Sequence, residues 1–406
     1  MFESSDADWS DPYPTVSMWI EPDGFWMDAI PHPASPRTAE AAWNSHPRGR
    51  EHAMQKKSGL RGIHAGWYAG VAVLVLGLVA AVLYGSGAYD SWRDGRSLDE
   101  ACDGTLAQDG LAEALGSSHL RAERGDRGVL AGCFVKTSPG SGRAVRITLR
   151  WSTEDAPSGS LVWYDSGWNG VRAQAAPLGN GWPGVVRYDG TWQIMVVLDC
   201  AKQKDKALVA YGDLYGSSGG TAVTGLGRVT TETARNAAGK YGCEAKAGQP
   251  LTRVSTARVG KPGTAKPLGR AQGSCVALRD TSVARSGTPW IMEYPADPGA
   301  PQTNCYLVTD AKKPGYGLYA YYGAAAKDFE STGFGGLDHD SVVATAPCPR
   351  AGHEAVFAVY RLYDPDTRSE PVAHYSAPFA RSALKAFAEH EAHQHGCGDV
   401  RITDPT

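Results

Sequence analysis

The chain has 406 residues and a formal net charge of −3 with histidine uncharged. A charge this close to zero argues against a nucleic-acid-binding protein, because such proteins usually carry a strongly basic surface. Charged residues make up only 20% of the chain, whereas glycine and proline contribute 49 and 25 residues. This composition favours strands, turns and loops over long helices. The 12 tryptophans and 18 tyrosines are enough for a sizeable core.

The beginning of the chain predicts a disordered cytoplasmic tail over residues 1–64. Residues 1–53 are rich in Asp, Glu, Pro and Ser and show no helical or strand period, as is typical of segments that cannot bury enough apolar surface to fold. Isolated tryptophans such as Trp9 and Trp26 fit short docking motifs. A start codon further along the chain is an equally simple interpretation.

An uncharged run over residues 65–89 predicts one transmembrane helix. A bilayer core about 30 Å thick requires roughly 20 apolar residues at 1.5 Å per residue. The run has no polar stripe that would serve as the solvent face of a soluble helix. Five basic residues at positions 48–61 precede it, whereas only Arg93 and Arg96 follow it closely. We therefore expect the N-terminus in the cytoplasm and residues 90–406 outside the membrane.

The same region also has the layout of a signal peptide that starts at Met54. Lys56, Lys57 and Arg61 precede the apolar run, and Ser86-Gly87-Ala88 supplies small residues for cleavage. The apolar run is longer than a typical signal core, which favours a retained anchor.

Eight cysteines follow the apolar run, and none precedes it. An even number of cysteines confined to the expected outer side predicts disulfides. The alternatives are reduced thiols or metal ligands, but the chain has no Cys-x-x-Cys pair of the kind found in zinc ribbons. From the near-equal spacing of the first pair in each half, we prefer first-with-second and third-with-fourth pairing among three connectivities per set. The expected pairs are Cys102–Cys133, Cys200–Cys243, Cys275–Cys305 and Cys348–Cys397.

Local sequence around the cysteines indicates two tandem copies of one module. Three features recur in the same order in both halves of this region. They are a cysteine entering a strand, an apolar strand after the third cysteine, and an alanine-rich helix before a closing Gly-Cys pair. These features are Cys133-Phe134-Val135 and Cys305-Tyr306-Leu307, residues 207–210 and 355–358, and Gly242-Cys243 and Gly396-Cys397. We assign module 1 to residues 98–247 and module 2 to residues 270–402. Residues 90–97 are a short stalk, and the Pro/Gly/Lys-rich residues 248–269 are an exposed linker.

Each module is predicted to be α+β, with an antiparallel sheet and flanking helices. A short helix is expected at 106–115, and closing helices at 232–241 and 382–394. Period-two alternation and apolar runs predict strands at 129–136, 144–151, 161–164, 184–188, 192–199 and 206–212 in module 1, and at 289–293, 304–309, 316–322, 341–345 and 354–362 in module 2.

The opening of module 1 resembles a family of actinobacterial secreted or membrane-anchored proteins of unknown function. Ala101-Cys102-Asp103-Gly104-Thr105-Leu106 is followed by a short helix ending at Gly116 and by Cys133 entering a strand. The closing Ala-rich helix ending in Gly-Cys is similar to streptomycete single-span membrane proteins of the same broad group. The resemblance covers most of each module but rests on spaced cysteines, and module 2 departs from it after Cys275. It implies location and fold, and supplies no catalytic residues.

Three histidines near the end of the chain are the strongest candidate metal ligands. His390, His393 and His395 lie within six residues, and imidazoles this close together can bind Zn²⁺ or Cu²⁺. They do not form the His-Glu-x-x-His pattern. Histidines also favour the negative end of a helix, so a solvated helix end is the alternative. No cofactor is expected.

Gly216-Ser217-Ser218-Gly219-Gly220 matches the Gly-x-Ser-x-Gly pattern of a nucleophile elbow. That motif requires a strand before the serine and a helix after it, whereas residues 221–225 predict a strand or loop. We therefore interpret the segment as a flexible loop, and His339, between two aspartates, as a turn.

Aromatic residues of the longer first copy are the candidate ligand-binding surface. Trp168 and Trp182 lie among Gly and Asn rather than in an alternating strand, which predicts partial exposure and stacking on a glycan or a protein partner. The seam between the modules is the expected place for a pocket. The leading hypothesis is a membrane-anchored, non-catalytic binding protein of the cell envelope. The alternatives are a metal-dependent hydrolase using residues 390–399, and signalling through the acidic tail.

Overall fold

The computed structural model describes residues 70–79 and 88–403, with gaps at 126–129, 139, 141, 153–174, 189, 204–205, 218, 257–258, 260–264, 282–285, 332–340, 350–352, 365–366 and 368. The predicted tail, most of the predicted transmembrane helix and the strand expected at 161–164 lie outside these residues. Residues 70–79 are helical, and their large apolar side chains are exposed, with Val73 at 70% and Leu76 at 68%. Within the described part of the chain, no helix is both long and apolar enough to cross a membrane.

Module 1 is built on a seven-stranded antiparallel sheet. The residues expected to form a stalk, 90–97, lie instead in helix α1 (Ala88–Asp99), whose Ser97 hydroxyl accepts a hydrogen bond from the Ala122 backbone N–H of module 1. Helices α2 (Ala101–Gly104) and α3 (Leu111–Leu115) follow, and the long helix α4 (Gly220–Lys240) closes the module. The sheet order is β1-β2-β3-β7-β6-β5-β4. Its strands are β1 (Leu120–Arg124), β2 (Ala131–Thr137), β3 (Ala144–Trp151), β4 (Ala175–Pro177), β5 (Gly184–Tyr188), β6 (Trp192–Asp199) and β7 (Ala207–Tyr215).

Module 2 is built on a second seven-stranded antiparallel sheet, with the order β14-β12-β13-β11-β10-β9-β8. Helix α5 (Ala324–Ser331) follows β11, and helix α6 (Ala377–His395) follows β13. The strands are β8 (Lys266–Pro267), β9 (Trp290–Glu293), β10 (Gln302–Val308), β11 (Pro314–Tyr321), β12 (Val342–Cys348), β13 (His353–Arg361) and β14 (Arg401–Thr403).

The two sheets share the order of their four central strands. In module 1 this order is β2-β3-β7-β6, and in module 2 it is β10-β11-β13-β12. Cys133 lies in β2 and Cys305 in β10, while Cys200 follows β6 and Cys348 ends β12. This correspondence supports the duplication inferred from the cysteine spacing.

All four expected disulfides are confirmed, and each joins two cysteines of the same module. The bridges are Cys102–Cys133, Cys200–Cys243, Cys275–Cys305 and Cys348–Cys397. In each module the first bridge ties the opening segment to a strand, and the second ties a strand end to the residues after the closing helix.

The two sheets face each other, and the long helices lie outside them. Helix α4 packs against β6 and β7, and α6 packs against β12 and β13. In module 2, one sheet face joins α6 in its own core through Cys305, Leu318 and Phe357. The opposite face, including Tyr306, Tyr319 and Tyr321, belongs to the same hydrophobic cluster as the interior of module 1. The modules therefore share one core, to which α5 also contributes, with Phe329 stacked on Tyr321.

The segment after α4 differs from the exposed linker expected over residues 248–269. Leu251 and Val254 are buried at 3% and 2% exposure, and Arg228 of α4 donates a hydrogen bond to the Leu251 carbonyl oxygen. This stretch covers α4 because its apolar side chains gain more by burial than a solvated spacer would. The expected helix at 106–115 is also shorter and begins at Leu111.

Candidate functional site at the seam between the modules

A cavity of about 180 Å³ opens at the seam and is lined by both modules. Module 1 contributes Pro183, Val197 and Asp199, from β6 and the approach to β5. Module 2 contributes residues 298–301, Tyr322 and Gly323 after β11, Gln394 and His395 at the end of α6, and the Cys348–Cys397 disulfide. The site agrees with the expectation that a pocket would form where the two modules meet.

Asp199 supplies the carboxylate of the cavity. It is the last residue of β6, and its side chain is accessible to solvent. Its carboxylate accepts a hydrogen bond from the Ala324 backbone N–H of module 2. A Cβ at Gly323 would lie 2.9 Å from Asp199 Oδ2, so glycine at this position, with φ of +57°, allows the close approach. The surrounding protein raises the pKa of Asp199 to about 6 by desolvation, against the effect of the Ala324 hydrogen bond.

His395 stands on the module 2 side of the cavity. Its ring stacks on Tyr322 with 3.6 Å between ring centroids and an interplanar angle of 16°. Its Nδ1 lies 2.9 Å from the Glu391 backbone carbonyl oxygen. A carbonyl oxygen can only accept, so Nδ1 carries the proton and Nε2 of the neutral ring is an acceptor. Nε2 is buried and has no hydrogen-bond partner among the described residues, and burial lowers the pKa of His395.

Glu391 lies beneath His395 and Tyr322 in the interior. Its side chain is buried, and Glu391 Oε2 accepts a hydrogen bond of 3.1 Å from the Tyr322 hydroxyl. Burial raises the pKa of Glu391 to about 7, although hydrogen bonds from Tyr322 and Thr303 act in the opposite direction. Burial also raises the pKa of Tyr322 well above its ordinary value, and the Glu391 carboxylate adds to this. Glu391 thus fixes the two aromatic rings that form the cavity wall.

We expect Glu391→Gln to stabilise the protein above pH 7. A folded-state pKa near 7 exceeds the ordinary value of 4.5, so the folded state binds this proton more tightly than the unfolded state. Stability from this group is therefore full below about pH 4.5 and is lost as the pH rises through 7. The amide mimics the neutral acid, so the variant should gain up to about 3 kcal/mol at pH 8 and little at pH 5. Urea denaturation at both pH values measures this.

Glu389→Gln, on the exposed face of the same helix, is the matched control. His395 and Tyr322 are present in wild type and in both variants. The pH dependence of stability that arises from their own titration is therefore largely the same in all three proteins. Parallel stability profiles of wild type and Glu391→Gln across pH 5–8 would contradict the assignment.

The structure does not gather the three candidate metal ligands into one set. His393 is exposed, His390 is half-buried, and His395 turns its Nδ1 back to its own helix. Burial and the neighbouring His393 lower the pKa of His390. Within the described residues, no group of three or more His, Cys, Asp or Glu side chains is placed to hold a metal ion. Of the three histidines, His395 alone lines the seam cavity.

The expectation that Trp182 is partly exposed is wrong. Trp182 is fully buried, and its indole N–H donates a hydrogen bond of 2.6 Å to the Gln249 carbonyl oxygen. The Arg235 guanidinium lies 5.0 Å from the ring centroid. The large ring is buried because it fills the space beneath the segment that follows α4. Trp168, the other candidate, lies outside the described residues, as does His339.

The Gly216–Gly220 segment has a local context that the sequence did not predict. It connects β7 directly to α4, which begins at Gly220, so residues 221–225 are helical rather than strand or loop. A strand does precede the segment and a helix does follow it. Ser218, the central serine of the pattern, lies outside the described residues.

Comparison with protein-family models, with curated protein sequences and with solved structures finds no match to this chain. The resemblance to actinobacterial membrane-anchored proteins therefore stays a prediction.

Sequence reasoning missed Asp199, Tyr322 and Glu391. One signal was present for Asp199, and it also distinguishes His395, because at both positions the two modules carry different residues. Asp199 immediately precedes Cys200, whereas Pro347 immediately precedes Cys348. His395 lies two residues before Cys397, where module 1 has Tyr241 two residues before Cys243. Residues shared by both copies serve the common fold, so such differences mark the positions that are free to serve a ligand.

Proposed function

We propose that the protein is a membrane-anchored extracytoplasmic binding protein that holds a small ligand in the seam cavity without transforming it. The observation that carries the proposal is the cavity itself, which both modules line and to which Asp199 contributes a carboxylate. Pockets with a few polar groups on an otherwise apolar wall are typical of ligand sites between domains.

Two further observations support the location. Four disulfides stabilise the modules, and such bridges persist in oxidising compartments outside the cytoplasm. The exposed apolar side chains of residues 70–79 lie within the uncharged run over 65–89, and exposed apolar surface of this kind is typical of contact with a membrane or a partner. Basic residues before the run favour an N-terminus on the cytoplasmic side.

Alkaline phosphatase fused after Thr406 is expected to be active in cells. The enzyme requires its own disulfides, and these form outside the cytoplasm. A fused reporter that works only in the cytoplasm should be silent at the same position. Fusions of both reporters before residue 54 serve as the inverse control. The opposite activity pattern at the C-terminus would refute the orientation.

Ligand binding is tested by a thermal-shift screen of small metabolites on the full chain in detergent. At least one compound should raise the melting temperature, and Gln394→Trp should abolish this rise because Gln394 is exposed and lines the cavity. Glu389→Trp, at an exposed position of the same helix that does not line the cavity, should keep the rise. A screen without hits, or hits unaffected by Gln394→Trp, would contradict a binding function for the cavity.

A further inference from the structure

We propose that helix α1 holds module 1 against the outer surface of the membrane, with the Trp92 side chain in the lipid headgroup layer. This inference rests on the proposed membrane anchor and adds an interaction surface that an anchor alone does not require. It is carried by the exposure of Trp92, by its distance along the chain from the apolar run, and by the packing of α1 on module 1.

Trp92 is an exposed aromatic residue on a module that otherwise covers its large apolar side chains. It is 59% exposed, and within the described residues the other exposed large apolar side chains all lie at positions 71–79. Tryptophan combines an apolar ring with a polar N–H, and it is enriched where the hydrocarbon of a bilayer meets water. The exposed apolar features of the described chain are therefore close together in sequence and suit one partner, a lipid bilayer.

The position of Trp92 along the chain gives it the depth of the headgroups. The uncharged run ends at Tyr89, and the chain is helical from Ala88. At about 1.5 Å per residue, Trp92 lies about 4.5 Å beyond Tyr89 along the helix axis. Each headgroup layer is about 5–8 Å thick. With Tyr89 at the edge of the hydrocarbon, Trp92 lies within this layer at any tilt of α1, because tilting only shortens the distance along the membrane normal.

The charges along the exposed side of α1 change sign in the direction that this placement requires. Arg93 and Arg96 are exposed, and the Arg96 guanidinium lies 5.7 Å from the centroid of the Trp92 ring. Cations therefore accompany the ring at the depth of the lipid phosphates. Two exposed acids follow, Asp99 and Glu100, of which Glu100 pairs with Arg96 at 2.8 Å. They lie about 10–12 Å further along the axis, beyond the headgroups and in water.

Helix α1 transmits the contact to module 1 because its other side is packed on the sheet. Leu98 is buried, and the Ser97 hydroxyl accepts a hydrogen bond of 3.0 Å from the Ala122 backbone N–H of β1. A helix fixed in this way lacks the freedom of a flexible stalk. A headgroup contact at Trp92 therefore holds the β1 edge of the module 1 sheet near the membrane.

The contact does not require an anionic lipid. Residues 88–96 contain two aspartates and two arginines, so their net charge is zero, whereas recruitment by anionic lipids needs a cluster of basic residues. The ring is thus the main contact, and bilayers of phosphatidylcholine are a sufficient partner.

The test places one nitroxide label on the full chain in phosphatidylcholine proteoliposomes. All eight natural cysteines are in disulfides, so Leu76→Cys, Trp92→Cys and Asp99→Cys each supply a single reactive thiol. Power saturation of the electron paramagnetic resonance signal gives the collision rates with oxygen, which concentrates in the bilayer, and with a neutral nickel chelate, which stays in water. The oxygen-to-nickel ratio at position 92 should exceed that at 99 several-fold and lie below that at 76.

A label at Arg93→Cys tests the ring itself. Trp92→Ala should raise the collision rate of this label with the nickel chelate several-fold, because the helix loses its interfacial side chain. Trp92→Tyr, which keeps an aromatic ring with a polar group, should leave the rate near that of wild type. Asp99→Ala is the matched control on the same helix and should also leave it unchanged.

The outcomes separate the headgroup contact from the anchor. Equal ratios at positions 92 and 99, with a hydrocarbon-like ratio at 76, would overturn the contact and leave the anchor in place. Shielding of the label at 92 from both reagents would indicate a protein partner and overturn it as well. An unchanged nickel rate at 93 in Trp92→Ala would refute the ring as the contact. An aqueous ratio at 76 would refute the anchor together with this inference.

Discussion

Replacing Cys348 and Cys397 together by serine is expected to lower the free energy of unfolding by about 4 kcal/mol. The bridge closes a loop with a sequence separation of 49 residues, and the chain-entropy model assigns a loop of this length about that stabilisation as an upper value. Both cysteines also line the seam cavity, so the double variant should lose ligand affinity as well. Urea denaturation without reductant, followed by titration of the ligand, measures both effects.

The matched control replaces Cys102 and Cys133, which are separated by 31 residues and do not line the cavity. This variant should lose a similar amount of stability, because loop-closure entropy depends only weakly on loop length, and should keep its ligand affinity under native conditions. Equal affinity in the two double variants would contradict a role of the Cys348–Cys397 bridge in shaping the cavity.

Trp182→Ala is expected to destabilise the protein by about 3–5 kcal/mol. Replacing a large buried aromatic side chain by alanine loses its transfer energy and leaves a cavity. The substitution also leaves the Gln249 carbonyl oxygen without its indole donor. Gly248 packs so closely on the indole that a Cβ there would lie 2.5 Å from the ring. Loss of the indole ring should therefore loosen the whole segment after α4. Chemical denaturation gives the stability, and hydrogen exchange of residues 245–254 gives the local effect.

Trp182→Phe separates packing from hydrogen bonding and should have a smaller effect, of about 1–2 kcal/mol. Trp92→Ala is the control for an exposed tryptophan, because Trp92 is 59% exposed, and it should change stability by less than about 0.5 kcal/mol. A loss below 1 kcal/mol for Trp182→Ala would show that the ring is not a core residue.

The disulfides and most strands could be predicted because their signals are local. Strands β5 and β6 have the bounds expected from the sequence, Gly184–Tyr188 and Trp192–Asp199. Alternation of apolar residues fixes which residues of a half-buried strand face the core. Cysteine spacing repeated in two copies limits the possible pairings. Neither inference needs information on distant contacts.

The alignment of the two copies from sequence alone is wrong by one residue in the strand after the third cysteine. Aligning residues 207–210 with 355–358 by their distance from the third cysteine pairs Ala207 with Ala355. In the sheets, however, Ala207 lies opposite Asp199, and Glu354 lies opposite Pro347. By strand pairing, Ala207 therefore corresponds to Glu354. A shift of one residue exchanges the two faces of a strand, so the alignment mixed residues of the shared core with residues under the helix.

The first half of α4 could not be predicted from propensity. Thr221, Gly225 and Gly227 are poor helix formers, yet they lie within Gly220–Lys240. Packing overrides propensity here, since a Cβ at Gly225 would lie 2.5 Å from the Ala114 backbone nitrogen of α3, and one at Gly227 would lie 2.7 Å from Val254. The glycines let α4 approach both segments, which the sequence around them does not reveal.

The candidate site depends on contacts that no local pattern encodes. Asp199 and His395 are separated by nearly 200 residues and meet only because the two sheets pack face to face. Sequence reasoning expected a pocket at the seam, but it chose tryptophans as the ligand-binding residues, named His395 only as a candidate metal ligand and missed Asp199. The tryptophan context of Gly and Asn was misleading, because for Trp182 it marks a tight turn that inserts the ring into the core.

The shared core has a consequence for how such a site can arise. Two copies of one module that pair through their sheets form the equivalent of a homodimer held in a single chain. In a symmetric dimer every substitution appears on both sides of the interface, so an acid introduced at one site would also appear at the equivalent site. Fusion into one chain removes that constraint: position 199 holds an aspartate while its counterpart 347 holds a proline, and position 395 holds a histidine where its counterpart 241 holds a tyrosine. The duplication predicted from the sequence would thus allow the asymmetric binding site that we propose to be built from a symmetric scaffold.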